Sequence, residues 1–223
     1  ASCFVKPMTA LGFVETMKME GHKAIVHTAA ASNLGQMLNR ICLSDGVPLV
    51  NIVRSEDQVA LLKAEGAVHV VNSSDADFSD QLAVAVNATG ATLAFDAIGG
   101  GKLGNAILMA MEAAAVKRMS EWSRYGSNEF KQLYIYGALD LAPTSLNRGY
   151  GFSWGIGGWL LTPFMMKAGR EVVDRMQARV VAELTSTFAS SYSDRLSLVE
   201  SVTPSAGAKY GVRRTSQKAL ITF

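Results

Sequence analysis

"AIVHTAAASNLGQML" (residues 24–38) passes from an apolar run through a knot of tiny residues into a helical pattern. The opening run is mostly apolar on both faces, as a strand in the middle of a parallel sheet must be. Leu34, Met37, Leu38, Ile41 and Cys42 then fall at the i, i+3, i+4, i+7, i+8 spacing of one helix face. Between the two stand Ala29, Ala30, Ala31, Ser32 and Gly35, all small enough for backbone to pass close to backbone.

Outward from this joint the same alternation recurs. "KAIVHTA" (23–29), "PLVNIVR" (48–54), "AVHVVNS" (67–73), "ATLAFDA" (91–97) and "KQLYIYG" (131–137) read as short buried strands. Ahead of them, a helix begins near Pro7 and stops at Gly21. Between the strands, Ser55 with Gln58 makes a capping-box pattern for a helix that ends at Gly66. Phe78, Leu82 and Val86 mark a third inter-strand helix, and Leu103, Ile107, Leu108 and Met111 a fourth. Strands and helices taking turns in this way form an α/β, doubly wound parallel sheet. Residues 116–130 read as an extended loop, 149–161 as a glycine-rich edge strand, 171–189 as one long helix, and 218–223 as a strand.

Composition narrows the function. The 223 residues are 49% hydrophobic and 18% charged, with a net charge of +2 and no basic stripe, which argues against nucleic acid as a partner. The two cysteines, Cys3 and Cys42, lie far apart in apolar stretches, which suits a reduced, cytoplasmic chain. The start, "ASCFVKPMTALGF", has neither the basic nor the apolar region of a secretory signal and reads as the interior of a longer protein. "FSWGIGGWLLTPFMM" is shorter than the ~20 residues of a membrane helix and is broken by glycines and Pro163, so no membrane span is expected.

Laid over the GxGxxG spacing of a dinucleotide-binding turn, the joint offers Ala30, Ser32 and Gly35. The amides of Ser32, Asn33 and Leu34 would face a pyrophosphate at the helix N-terminus, and the Ser32 and Asn33 side chains could add donors. A strand-to-helix joint merely packed with alanines fits the same residues. At the end of the second strand, where NAD-binding chains carry an acid, stand Arg54 and Ser55, suited to the 2′-phosphate of NADP(H). A solvated arginine and a helix-capping serine are the plain alternative. "FDAIGGG" (95–101) and "YGALD" (136–140) close two further strands, with glycines that either admit a cofactor or make ordinary turns.

"PMTALGF", "AAASNLG", "LLKAEGAVHVVNSS", "FDAIGGG" and "YIYGALD", in this order and spacing, resemble the cofactor-binding half of the medium-chain dehydrogenase/reductase superfamily. Its quinone oxidoreductase and zinc-type alcohol dehydrogenase-like branches are the most similar. The resemblance implies Thr9 near the nicotinamide, Ala30 to Gly35 at the pyrophosphate, and Arg54 and Ser55 at the 2′-phosphate. It places Ala97, Ile98 and Gly99 near the ribose, and Gly137, Ala138 and Leu139 near the carboxamide. It implies hydride transfer from NADPH to a quinone, an enone or another activated carbonyl compound as small-molecule substrate. Family members begin with a GroES-like catalytic domain that has no counterpart in this chain. Residues 1–189 are thus expected to form the dinucleotide-binding domain, and 190–223 to pack on the missing domain. The resemblance also favours a homodimer, formed through the edge strand near Phe152 to Leu160.

Other chemistries fit poorly. His22, His27 and His69 lack metal-ligand spacing, so no metal is expected. "WSRYGS" around Ser123 is no nucleophile elbow, and the joint lacks the Lys-Ser/Thr of a P-loop. A methyltransferase would give Arg54 no phosphate to meet. Spacing singles out no proton donor, so the catalytic residues are unassigned, and a nucleotide-binding or redox-sensing module without catalysis is the alternative to an oxidoreductase.

Overall fold

Each apolar run becomes a strand of one sheet in the computed structural model, which describes residues 3–190, 192–211 and 219–223. In chain order the elements are α1 (Val5–Met19), β1 (Ile25–His27), α2 (Asn33–Asp45), β2 (Leu49–Val53), α3 (Glu56–Ala64), β3 (His69–Asn72), α4 (Phe78–Thr89) and β4 (Leu93–Asp96). They continue as β5 (Gly99–Gly101), α5 (Leu103–Lys117), β6 (Lys131–Ile135), β7 (Asp140–Thr144), β8 (Trp154–Gly158), α6 (Leu161–Ala168) and α7 (Arg170–Ala182). The chain closes with β9 (Asp194–Ser197), α8 (Leu198–Ser201), α9 (Pro204–Gly211) and β10 (Ala219–Thr222).

Six strands lie in the order β3-β2-β1-β4-β6-β8, every neighbouring pair parallel. The chain winds outward from β1 in one direction and then, from β4, in the other. A crevice therefore opens at the carboxyl ends of β1 and β4, where the order reverses. Successive side chains alternate between two helical layers. Ile25, Leu93 and Phe95 pack under α1, α2, α6 and α7 with Phe13, Met37 and Trp159. Val26, Val50 and Ala94 pack under α4 and α5 with Leu82, Ile107 and Met111. Among the described residues, no helix is long and apolar enough to cross a membrane.

Several expectations need correction. The helix expected over 171–189 is α7, which starts at Arg170 and ends early, at Ala182; Gly169, whose φ of 82° no continuing helix can hold, separates it from α6. β5 and β7 pair as a small separate parallel sheet, so the glycines at 99–101 form a strand rather than a plain turn. The strand expected over 218–223 is β10, paired in parallel with β9 rather than with the main sheet. Within 190–223, positions 191 and 212–218 lie outside the described residues.

The polar stretch after α5 is anchored from beneath. The Glu112 carboxylate accepts from the Ser127 amide at 2.8 Å, the Ser127 hydroxyl at 2.6 Å and Lys131 Nζ at 2.6 Å. Lys131 Nζ also donates to the Ser127 hydroxyl and to the carbonyl of Glu129. Burial pushes the Glu112 carboxyl up, yet the bonds from Lys131 and Ser127 outweigh it and hold the group below the usual carboxylate range.

Candidate functional site

The strand-to-helix turn is built from atoms that only small residues allow. After β1, Ala29 adopts a left-handed φ of 50°, and the Ala30 amide donates to the carbonyl of Ile52 at 3.1 Å. The left-handed residue of the tight turn is thus Ala29, one position before the expected Ala30. At Gly35 a Cβ would collide with the carbonyl of Ala30, so the third position of the motif must be glycine for α2 to pack against the turn. Ser32 caps α2: its hydroxyl accepts from the Gly35 amide at 3.2 Å.

The donors available differ from expectation. The Ser32 amide is taken by the carbonyl of Ala29 at 2.9 Å and cannot face a phosphate. Asn33 and Leu34, the first two residues of α2, keep amides that no backbone acceptor in the described residues claims. The Asn33 side chain is engaged too, its Nδ2 donating to the Ser190 hydroxyl at 3.1 Å.

At the end of β2 the capping box does not form. Ser55 is extended, with φ −159°, and makes no side-chain cap, whereas the Gln58 side chain accepts from the Arg54 amide at 3.1 Å. The Ser55 hydroxyl has no partner among the described residues. Among the described residues the exposed Arg54 guanidinium has neither an ion pair nor a hydrogen bond. Ser74 holds the local backbone, donating to the carbonyl of Arg54 at 2.9 Å.

Across the crevice, Thr28 and Asp96 tie β1 to β4. The Thr28 hydroxyl donates to Asp96 Oδ1 at 2.7 Å and accepts from the Ala97 amide at 2.8 Å. The Asp96 carboxylate also receives the amides of Ile98 and Gly99 at 2.9 and 3.1 Å. This bends Ala97, Ile98 and Gly99 over the strand end. The Leu139 amide then donates to the carbonyl of Ala97 at 3.2 Å, which docks the second loop on the first. Gly137 is needed for that docking, because a Cβ there would stand 2.6 Å from the Ala97 carbonyl oxygen. Ala97 to Gly99 and Gly137 to Leu139 thus meet at the carboxyl edge, with Ala138 and Leu139 exposed.

Two aromatic groups line the same edge. His27 Nε2 lies 2.8 Å from the Tyr136 hydroxyl, and burial pulls the imidazole down to about 3, leaving it neutral at pH 7. Burial, with the Asp96 charge adding to it, pushes the Tyr136 phenol up, so it keeps its proton. Phe13 on α1 stacks on Phe95 and meets Tyr136 edge-on, which fixes the height of α1 against the strand ends. Past its C-terminal end, His22 bonds Thr92 just before β4 at 2.7 Å, so α1 runs antiparallel to β4. The buried Thr9, one turn before Phe13 and about 6 Å along the axis, therefore reaches the carboxyl edge.

Sequence reasoning missed Thr28, Asp96, Tyr136 and Ser190. Asp96 had the clearest signal, an acid at a buried strand end just before glycines, which requires a fixed set of donors. A cavity of about 240 Å³, lined by residues including Cys42, Leu49 and His69, lies instead at the amino edge, where β2 and β3 begin. It is apolar and remote from the turn.

No protein-family model and no curated protein matches the sequence. Solved structures do. All of the chain superposes, with a TM-score of 0.79 and 26% identity, on 60% of a protein described as an NADPH:quinone reductase from Mesorhizobium loti. The fold is that of the cofactor-binding half of the medium-chain dehydrogenase/reductase superfamily. A second protein so described, from Bacillus thuringiensis, matches at TM-score 0.74 and 14% identity, with all of this chain covering 63% of that one. The enoyl thioester reductase Etr1p of Candida tropicalis, solved with NADP and crotonyl-CoA, matches at TM-score 0.69 and 19% identity, with all of this chain covering 60% of that one. The chain spans about 60% of the length of these proteins.

Proposed function

We propose that the chain is the NADPH-binding domain of an oxidoreductase that passes a hydride to a quinone, an enone or another activated carbonyl compound. The observation that carries this reading is the uncommitted pair at the end of β2. Among the described residues the Arg54 guanidinium and Ser55 hydroxyl have no partner, and neither do the Asn33 and Leu34 amides of the turn. A guanidinium and a hydroxyl suit a 2′-phosphate, and unclaimed amides at the start of a 13-residue helix suit a pyrophosphate. The residues present therefore fit NADP(H).

In this reading the chain binds and orients. Ala30 to Gly35 let the pyrophosphate approach α2, while Ala97 to Gly99 and Gly137 to Leu139 flank the ribose and the carboxamide. Thr9 and the Tyr136 ring border the nicotinamide end of the crevice. Bound there, the nicotinamide supplies the hydride. Tyr136 and His27 hold one shared hydrogen bond and no charge, so they keep that end of the crevice neutral. The similar structures are named as quinone and enoyl thioester reductases, which supports an electron-poor acceptor.

Residues 1–189 are proposed as the dinucleotide-binding unit and 190–223 as a segment packing on a catalytic domain. Among the described residues β9 pairs only with β10, and Val199 and Val202 beside it are exposed, which supports that role. The open edge of β8, with Phe152 84% and Leu160 67% exposed at its two ends, suits a homodimer built strand to strand. Both cysteines are free, in keeping with a cytoplasmic setting.

Titration calorimetry with NADPH and NADH, repeated on Arg54→Ala, tests the reading. The expected result is tighter binding of NADPH, with the preference lost in the variant. Equal binding of both nucleotides by the wild-type chain would remove the 2′-phosphate assignment, and no binding of either would leave the turn a packing joint.

A further inference from the structure

The segment that follows α7 comes back to the cofactor turn, and one side chain holds it there. Arg40 lies seven residues after Asn33 on α2, on the same face of the helix. Its Nε donates to the carbonyl of Thr187 at 2.9 Å and its Nη2 to that of Ala189 at 3.3 Å. Between those carbonyls, Phe188 is buried in the core that α1 and α2 share. Arg40 Nη1 also meets Glu65 Oε1 at 3.3 Å, which fixes the guanidinium from its other side. One residue beyond the clamp, the Ser190 hydroxyl lies 3.1 Å from Asn33 Nδ2 and 3.4 Å from Asn33 Oδ1. Asn33 is the residue whose amide opens the anion-facing end of α2.

From this chain of contacts we infer that Arg40 is a positioning residue for the nucleotide, acting through residues 187–190 and the Ser190–Asn33 contact. It touches no part of the site itself. Two charge-assisted bonds, to carbonyls two residues apart, hold the segment in register, and the Ser190 hydroxyl in turn holds the Asn33 side chain to one side of the pyrophosphate approach. Released, the Asn33 amide group is free to swing across the helix end and compete for the backbone donors that the pyrophosphate needs. Affinity for a dinucleotide thus depends on a residue two turns down the helix. This inference rests on the cofactor reading above.

The test compares NADPH with adenosine 2′-monophosphate, which carries the 2′-phosphate but has no phosphate at the 5′ position and no nicotinamide half. Titrated calorimetrically, Arg40→Ala is expected to bind NADPH about tenfold more weakly than wild type and adenosine 2′-monophosphate within about twofold, since one hydrogen-bonded contact is worth roughly a decade. Arg40→Ala also leaves Glu65 without its cation and could disturb folding, so Ser190→Ala, which strands no charge, is measured beside it. It is expected to show the same selective loss at about threefold. A general loss of fold lowers both ligands together, whereas the positioning role lowers NADPH alone. Equal loss of both ligands in both variants, or unchanged NADPH binding in both, overturns the inference and leaves the cofactor reading standing. Absence of NADPH binding by the wild-type chain overturns both.

Discussion

At Gly35 a single hydrogen decides whether the turn closes, because any Cβ meets the carbonyl of Ala30. Gly35→Ala is expected to lower stability by at least about 2 kcal/mol, as overpacking against fixed backbone does, measured by urea unfolding. A change below about 0.5 kcal/mol would mean that the turn relaxes freely. His27 offers a second test. Its folded value of about 3 lies below the ordinary 6.5, so the unfolded chain binds more protons between those limits. Stability is then complete above pH 6.5 and falls as pH drops toward 3, by up to about 1.4 kcal/mol per unit. His27→Phe should flatten the slope of unfolding free energy between pH 7 and pH 5, above the range where carboxylates titrate. An unchanged slope would place the acid sensitivity elsewhere. The small residues of this turn were readable as a class in the sequence, but the left-handed residue was not. Ala29 and Ala30 are chemically the same, and only the Ala30 bond to Ile52 on β2 selects which of them turns.

Elements were readable where their signal was local. The strands and α2 announce themselves by burial on both faces or by a 3.6-residue period. The capping box was misread because Ser55 and Gln58 have the right spacing, yet Gln58 finds the Arg54 amide first and leaves the serine extended. The Asn33–Ser190 and Arg40–Thr187 contacts span most of the chain and carry no sequence signature. The joint between α5 and β6 is also non-local, and it supports a prediction of its own. Lys131 is fully buried and its ammonium is held by Glu112, Ser127 and Glu129. Glu112→Gln should cost about 3–5 kcal/mol because it strands a buried charge, while Glu112→Leu with Lys131→Met should recover most of that loss. Thermal unfolding of the single and double variants separates the two outcomes. Equal destabilisation in both would mean that the Ser127 bonds, and not the charge pair, carry the joint.

For the whole molecule, the strand order matters most. β3-β2-β1-β4-β6-β8 places the first turn, the end of β2 and the loops after β4 and β6 along one edge. Alternating strands and helices in the sequence imply a parallel sheet, but the order of strands is set by how the helical layers divide between its two faces. The open side of β8 carries a prediction at this scale. The chain is expected to sediment as a dimer at micromolar concentration, and Phe152→Asp with Leu160→Asp should make it a monomer without loss of NADPH binding. A wild-type monomer across that range would contradict the interface. The central claim is that a dinucleotide lies across the carboxyl edge of this sheet, and a crystal structure of the chain grown with NADP tests it most directly. The account predicts the pyrophosphate on the amides of Asn33 and Leu34 with the 2′-phosphate at Arg54 and Ser55; NADP bound anywhere else, such as the cavity beside Cys42 and His69, would contradict it.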